Sequence, residues 1–125
     1  MKAGDTFFIA DRGVDSHLWV IVSEPENDAE RVVLVSMTTY ESSKEDVCIL
    51  DVGDHPRITH KTCIAYNEAR MTSLENLIQL RDGARLKLQA PVSEAVLKRI
   101  RDGISRSTKI KYKFVELLLD QGVIE

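Results

Sequence analysis

Short apolar runs separated by polar turns occupy the first two-thirds of the chain, a pattern typical of β-structure. The runs are rich in valine, isoleucine and threonine, which favour an extended backbone. The predicted strands cover residues 6–10, 17–23, 31–39, 46–52, 57–66 and 85–89. A polar loop over residues 11–16 joins the first two. Because no helical pattern interrupts the first five strands, the spacing disfavours a parallel α/β fold.

Apolar residues return at helical spacing after the fifth predicted strand. Serine or threonine precedes each helical run and glycine follows it, as is common at helix ends. The predicted starts are Ser73, Ser93 and Thr108, and the predicted stops are Gly83, Gly103 and Gly122. This order predicts a mainly β fold with C-terminal helices, arranged as a small, strongly bent sheet or barrel.

The chain has neither a linker nor a repeat, so residues 1–125 are expected to form one domain, β-rich over 1–90 and helical over 91–125. Its 43% hydrophobic and 30% charged residues are typical of a globular protein that buries a core without disulfides. Charged residues interrupt the first apolar run, and no run approaches the ~18 residues of a membrane span. We therefore expect neither a signal peptide nor a membrane segment.

Two cysteines, Cys48 and Cys63, lie in apolar strand-like contexts. Without a secretion signal, the favoured interpretation is two buried reduced thiols in a cytoplasmic protein. A disulfide between adjacent strands is the alternative. Neither cysteine has the setting at a helix N-terminus that lowers a thiol pKa, so the sequence does not favour a Cys–His nucleophile.

Charge is unevenly distributed around a net value of −3. Residues 1–30 carry two bases against seven acids, whereas residues 98–113 carry seven bases against one acid. The basic segment predicts a local surface for nucleic acid or an acidic partner. Solvated helix faces, with cations favoured near helix C-termini, are the alternative interpretation.

A metal site is the first chemistry to consider, because His55 and His60 stand five residues apart beside Asp54. Zinc needs a further ligand, and Cys63 projects opposite to His60 if both lie on a regular strand. No glycine-rich loop joins a strand to a helix, which argues against a bound nucleotide. The sequence therefore predicts no metal and no cofactor, and a metal-dependent hydrolase is the least favoured hypothesis.

Metal-free cleavage of a phosphodiester fits the polar residues better. It needs groups that transfer protons, for which histidine is suited, and cations or hydrogen-bond donors on the phosphate. Such residues stand at strand ends or on the polar strand 57–66. The predicted catalytic residues are His17, Thr38, Thr39 and His60, and the predicted substrate-binding residues are Arg57, Lys61 and Thr62. Loop histidines beside a solvated strand face are the competing interpretation.

Strand alternation limits how residues 57–66 can act together. A regular strand would place Ile58, His60, Thr62, Ile64 and Tyr66 on one side, and Arg57, Thr59, Lys61, Cys63 and Ala65 on the other. The whole polar set therefore cannot face one ligand. We expect the side that carries His60 to serve proton transfer.

The order of three motifs resembles the MazF/PemK family of toxin ribonucleases. "AGDTFFI" (3–9), "HLWVIVS" (17–23) and "VVLVSMTT" (32–39) follow one another as that family's first three strands do. The resemblance implies a small SH3-like barrel, a homodimer, metal-independent cleavage of single-stranded RNA and neutralisation by a small antitoxin protein. It covers roughly residues 1–40, and its motifs are short.

Within the resemblance, Thr38 or Thr39 is carried over as a site residue from the turn after the third strand. His17 and Leu18 stand where the family has Arg-Pro, so the phosphate-binding arginine is absent and His17 takes its position. A neutral histidine does not hold a phosphate charge as arginine does. Two hypotheses follow: a toxin-type endoribonuclease, or a non-catalytic SH3-like module that recognises nucleic acid or a protein partner.

Overall fold

A computed structural model describes residues 1–10 and 17–125; the loop predicted at 11–16 lies outside the described residues. Six antiparallel strands form one sheet in the order β4-β5-β3-β2-β1-β6. The strands are β1 (Thr6–Ile9), β2 (Trp19–Ile21), β3 (Val32–Thr39), β4 (Ile49–Leu50), β5 (Thr62–Thr72) and β6 (Leu86–Gln89). The described pairings leave β4 and β6 as edges, so this sheet is open. The mainly β character with C-terminal helices is confirmed.

In the part of the chain that the structure describes, three helices accompany the sheet: α1 (Leu74–Asp82), α2 (Glu94–Arg106) and α3 (Tyr112–Asp120). Ser73 and Ser93 cap α1 and α2 as predicted, since each hydroxyl oxygen accepts a hydrogen bond from a backbone N–H three residues on, at 3.1 Å. Gly122 follows α3 with φ of +71°, which confirms that predicted stop. No described helix combines the length with the apolar character that a bilayer crossing demands.

Two predicted helix ends are wrong. The last helix begins at Tyr112 rather than after Thr108, whose backbone N–H instead donates to the Glu45 carboxylate at 3.0 Å. Helix α2 continues through Gly103 to Arg106. Gly103 is buried where the Tyr66 side chain crosses the helix and its hydroxyl donates to the Ile100 carbonyl at 2.7 Å. This glycine permits a close approach instead of ending the helix.

Alternation along β3 divides the apolar residues between two sides of the sheet. One side carries Val33, Val35 and Met37 and packs with residues of α2 and α3. The other carries Val32 and Leu34 and packs with residues of α1 and β6. Farther along β3, this second side continues with small polar residues, and an open cleft replaces the core there.

The predicted strand 57–66 is wrong in its first half, because β5 begins at Thr62. Residues 55–58 form a turn in which the Ile58 N–H donates to the His55 carbonyl at 3.0 Å. The alternation predicted for 57–61 therefore does not apply. Within β5 it is confirmed: Ile64 and Tyr66 lie in the core beside α2, while Cys63 and Ala65 line the cleft.

A large bulge interrupts β5 after Tyr66. The register pairs Ser36 with Ala65 but Leu34 with Arg70, so residues 66–69 stand opposite Val35 alone. A bulge bends its strand and re-aims the side chains that it carries. Here it changes which residues of β5 face the cleft.

Candidate functional site

The cleft on the second side of the sheet has a volume of about 490 Å³, within the range of small-molecule sites. Its floor includes a row of paired residues across three strands, Trp19, Ser36 and Ala65. Ser36 and Ala65 have small side chains, so they leave empty space above the sheet where larger core side chains would otherwise fill it. The space that is left admits a ligand.

Polar groups of five kinds line the cleft. They are the imidazole of His17, the hydroxyls of Ser36, Thr38 and Ser43, the cations Lys44, Arg70 and Lys109, and the carboxylates Glu45 and Glu68, with the amide of Asn67. Cations and hydroxyls together form the donor set that binds phosphate. A phosphate-bearing ligand therefore fits this lining.

Two of the cations are positioned by contacts within the site. The Lys44 ammonium donates to the Thr38 hydroxyl at 3.1 Å and to the Thr39 carbonyl at 2.7 Å. The Arg70 guanidinium lies 4.8 Å from the centre of the Trp19 ring, a cation–π contact. Neither cation is paired with a carboxylate among the described residues. Both charges therefore remain available to an anion.

The segment that carries Lys44 is tied to the helical side of the molecule. The Glu45 carboxylate accepts from the Ser107 hydroxyl at 2.7 Å and from the Thr108 N–H at 3.0 Å. The Arg106 guanidinium donates to the Val47 carbonyl at 2.7 Å. These contacts engage Glu45 in structure and hold one wall of the cleft in place.

The structure separates the four predicted catalytic residues into two pairs. His17 and Thr38 line the cleft. Thr39 follows Thr38 on β3 and therefore points to the other side of the sheet, where its hydroxyl oxygen lies 2.8 Å from His60 Nε2. His60 Nδ1 lies 3.1 Å from the Thr59 hydroxyl. The two histidines thus do not line one cavity.

The predicted substrate-binding residues lie outside the cleft. The Arg57 guanidinium donates to the Gln89 side-chain carbonyl at 2.7 Å and lies 5.7 Å from the centre of the Phe8 ring. Thr62 is buried, with its hydroxyl donating to the His60 carbonyl at 2.9 Å. Lys61 is exposed just before β5.

His55, considered above as a metal ligand, is a buried structural residue. Its Nδ1 accepts from the Arg57 N–H at 3.0 Å, so the proton is on Nε2, which lies 2.6 Å from the Ala90 carbonyl and 3.2 Å from the Thr6 hydroxyl. The neighbouring Asp54 carboxylate accepts from the Asp51 N–H and from Arg99. Within the described residues, no three His, Cys, Asp or Glu side chains are grouped as a metal site would require.

Much of the basic segment 98–113 is used inside the molecule. The guanidinium groups of Arg99 and Arg101 donate to the carbonyls of Ile49 and Val22 at 2.6 and 2.9 Å. Lys109, from the same segment, lines the cleft. The segment therefore contributes both to packing and to the positive charge of the site.

Both cysteines are free and buried, on opposite sides of the sheet. Burial raises the pKa of the Cys48 thiol and of the Cys63 thiol, and the charge of Lys44 only partly opposes this at Cys63. Cys63 is therefore a poor nucleophile although it lines the cleft.

The thiols are expected to resist alkylation in the folded protein. At pH 7.5, iodoacetamide should modify Cys48 and Cys63 at about one-hundredth of the rate seen in urea or less, as judged by mass spectrometry. The thiols of the unfolded chain lose their protons near pH 8.5, whereas the buried thiols of the folded protein keep theirs at that pH. Proton release therefore favours the unfolded chain, and the free energy of unfolding should fall as the pH rises above about 8.5. A C48A/C63A variant should show a smaller fall. Equal alkylation rates in the folded and unfolded protein would contradict the burial of the two thiols.

Comparison of the chain with protein-family models, curated proteins and solved structures finds no match.

Proposed function

We propose that the protein binds single-stranded RNA in the cleft and cleaves it without a metal ion, as a toxin-type endoribonuclease of the MazF/PemK kind. The observation that carries the proposal is the meeting of His17, Thr38, Lys44 and Arg70 in one cavity. His17 and Thr38 are the residues that the motif resemblance places in the site. Lys44 and Arg70 supply the positive charge that the missing family arginine would have provided.

Each group has a role in the proposed reaction. Lys44 and Arg70 hold the phosphate and stabilise the negative charge that grows on it in the transition state. The Thr38 hydroxyl, already 3.1 Å from the Lys44 ammonium, adds a further hydrogen bond. His17 takes the proton of the ribose 2′-hydroxyl that attacks the phosphorus and returns it to the 5′-oxygen that leaves as the P–O5′ bond breaks, a role that suits histidine near neutral pH. The overall charge of −3 restricts RNA contact to this local surface.

The same proposal extends to architecture and partners. We propose that the antiparallel sheet, which is open between β4 and β6 in the described pairings, is a partly open barrel of the SH3-like type. A homodimer and a small antitoxin protein are the partners that the resemblance implies. Coexpression with the product of an adjacent small reading frame, followed by copurification, tests the toxin–antitoxin relation.

Removal of one cation should weaken RNA binding by about tenfold. It should also reduce the slope of log affinity against log salt concentration by about one, the value of one phosphate contact. The variants are R70Q and K44Q, measured by fluorescence anisotropy on a single-stranded RNA at several salt concentrations. R85Q and K87Q are matched controls, because both residues are exposed and outside the cleft. Equal losses in all four variants would show that the cleft is not the binding site.

A second candidate function is favoured by one observation, the separation of His17 from His60. A non-catalytic module that recognises nucleic acid or a protein partner would need only the cations of the cleft. This candidate predicts salt-dependent binding in which the RNA stays intact from pH 5 to 9 with EDTA present. Gel analysis of the bound RNA separates it from the endoribonuclease.

A further inference from the structure

The bulge in β5 places Asn67 and Glu68 in the cleft together. On a regular strand, two consecutive residues point to opposite sides, so only one of them would reach the site. Opposite Val35, however, the strand carries the additional residues 66–69, and Asn67 and Glu68 both line the cavity and are both exposed. An amide and a carboxylate thus stand next to each other at the rim.

Neither side chain has a hydrogen-bond partner among the described residues, in contrast to the other acid of the cleft. The carboxylate of Glu45 accepts two hydrogen bonds, from Ser107 and Thr108. Asn67 and Glu68 are exposed, and their donors and acceptors face solvent. They are therefore free to bind a ligand.

The charge of Glu68 indicates what that ligand must offer. A carboxylate in the same cleft as the cations Lys44 and Arg70 repels a phosphate backbone and so opposes nonspecific RNA binding. It accepts hydrogen bonds but donates none. The ligand must compensate with N–H donors, which the edges of some bases provide and the RNA backbone phosphates do not.

We propose that Asn67 and Glu68 read the Watson–Crick edge of a guanine in the bound RNA. Guanine presents one carbonyl acceptor, O6, followed by two donors, N1–H and N2–H. The Asn67 amide donates to O6, and the two carboxylate oxygens of Glu68 accept from N1–H and N2–H. Adenine and uracil each offer a single Watson–Crick donor, and cytosine offers its amino group without an adjacent ring N–H.

This inference rests on the proposed function, because it needs single-stranded RNA in the cleft. It adds the specificity: the protein prefers RNA that contains an unpaired guanine. Single-stranded RNA suits such recognition, since its unstacked bases expose their Watson–Crick edges.

The test compares eight-residue oligouridines in which one central base is guanine, adenine or hypoxanthine. Hypoxanthine keeps O6 and N1–H but lacks the amino group. We expect anisotropy to show about tenfold or greater preference for guanine over adenine, as for other bidentate base contacts, with hypoxanthine between them. In E68Q the ratio of the affinity for the guanine oligonucleotide to that for the adenine oligonucleotide should fall to about one-third of the wild-type ratio or less. N67A should lower this affinity ratio as well. E116Q, an exposed glutamate on α3, should keep the wild-type ratio.

The outcomes separate the two proposals. RNA binding without a guanine preference, or a preference that survives in E68Q, would overturn the base-reading role and leave the RNA-binding cleft intact. Absence of binding to every oligonucleotide at low salt would overturn the proposed function and this inference with it. Ratios are compared rather than single affinities, because removal of the Glu68 charge strengthens binding of any RNA.

Discussion

Gly103→Ala is expected to lower the free energy of unfolding by about 3 kcal/mol, although alanine favours a helix interior over glycine by about 1 kcal/mol. A methyl group at this position would overlap the Tyr66 hydroxyl, lie 2.9 Å from Tyr66 Cζ and lie 3.2 Å from Cys48 Cβ. Tyr66 would have to move and give up its hydrogen bond to the Ile100 carbonyl. Urea denaturation followed by circular dichroism measures the change.

A double-mutant cycle with Tyr66→Phe assigns the cause. Y66F alone should cost about 1 kcal/mol, the value of one buried hydrogen bond. In the Y66F/G103A protein the closest overlap is gone, so its loss should be smaller than the sum of the single losses. The ring carbon still crowds the methyl group, so recovery should be partial. Additive losses, or a G103A protein as stable as wild type, would contradict the close contact between Tyr66 and Gly103 as the cause.

His55→Ala is expected to cost about 3 kcal/mol, through a cavity and the loss of buried hydrogen bonds. The ring is 4% exposed and joins three parts of the chain: its own turn through the Arg57 N–H, the residue after β6 through the Ala90 carbonyl, and β1 through the Thr6 hydroxyl. Removal should loosen residues 51–61, which hydrogen exchange would detect as faster exchange there than in α3.

Asparagine at position 55 is the matched control. Its side-chain oxygen can take the place of Nδ1 and accept from the N–H two residues on, a common arrangement for asparagine in turns. H55N should therefore keep the local bond to Arg57, lose the bond to Ala90 and show an intermediate stability. If H55N and H55A were equally stable, the link to Ala90 and not the turn would account for the whole loss.

Local signals explain why several elements were predictable. The caps at Ser73 and Ser93 depend on hydrogen bonds three residues away, and the stop at Gly122 depends on one backbone angle. A window of a few residues contains all the information that such features need. Residues 57–61 show the converse. Their alternation resembles a strand, but the turn at His55 is held by Ala90, which lies 35 residues away.

The candidate site was predictable only in part. His17 and Thr38 were named from motif order, and both line the cleft. Lys44, Arg70 and Glu68 carried no comparable signal, because a lysine or glutamate in a polar stretch is usually solvated. A usable hint was present: Ser36, Cys63 and Ala65 are smaller than the valines and isoleucines around them. Small residues at paired positions of two strands leave space on one side of a sheet.

The amino-acid sequence by itself determined the order of the strands and helices, two helix caps and the mainly β class, since these follow from periodicity and short-range hydrogen bonds. Only the tertiary structure decided the pairing of β3 with β5, the bulge at 66–69 and the side of the sheet that stays open. The register of this pair depends on contacts between residues 23 to 40 positions apart, on both faces of the sheet. A short stretch of sequence does not contain these long-range contacts, and the cleft depends on the register that they set.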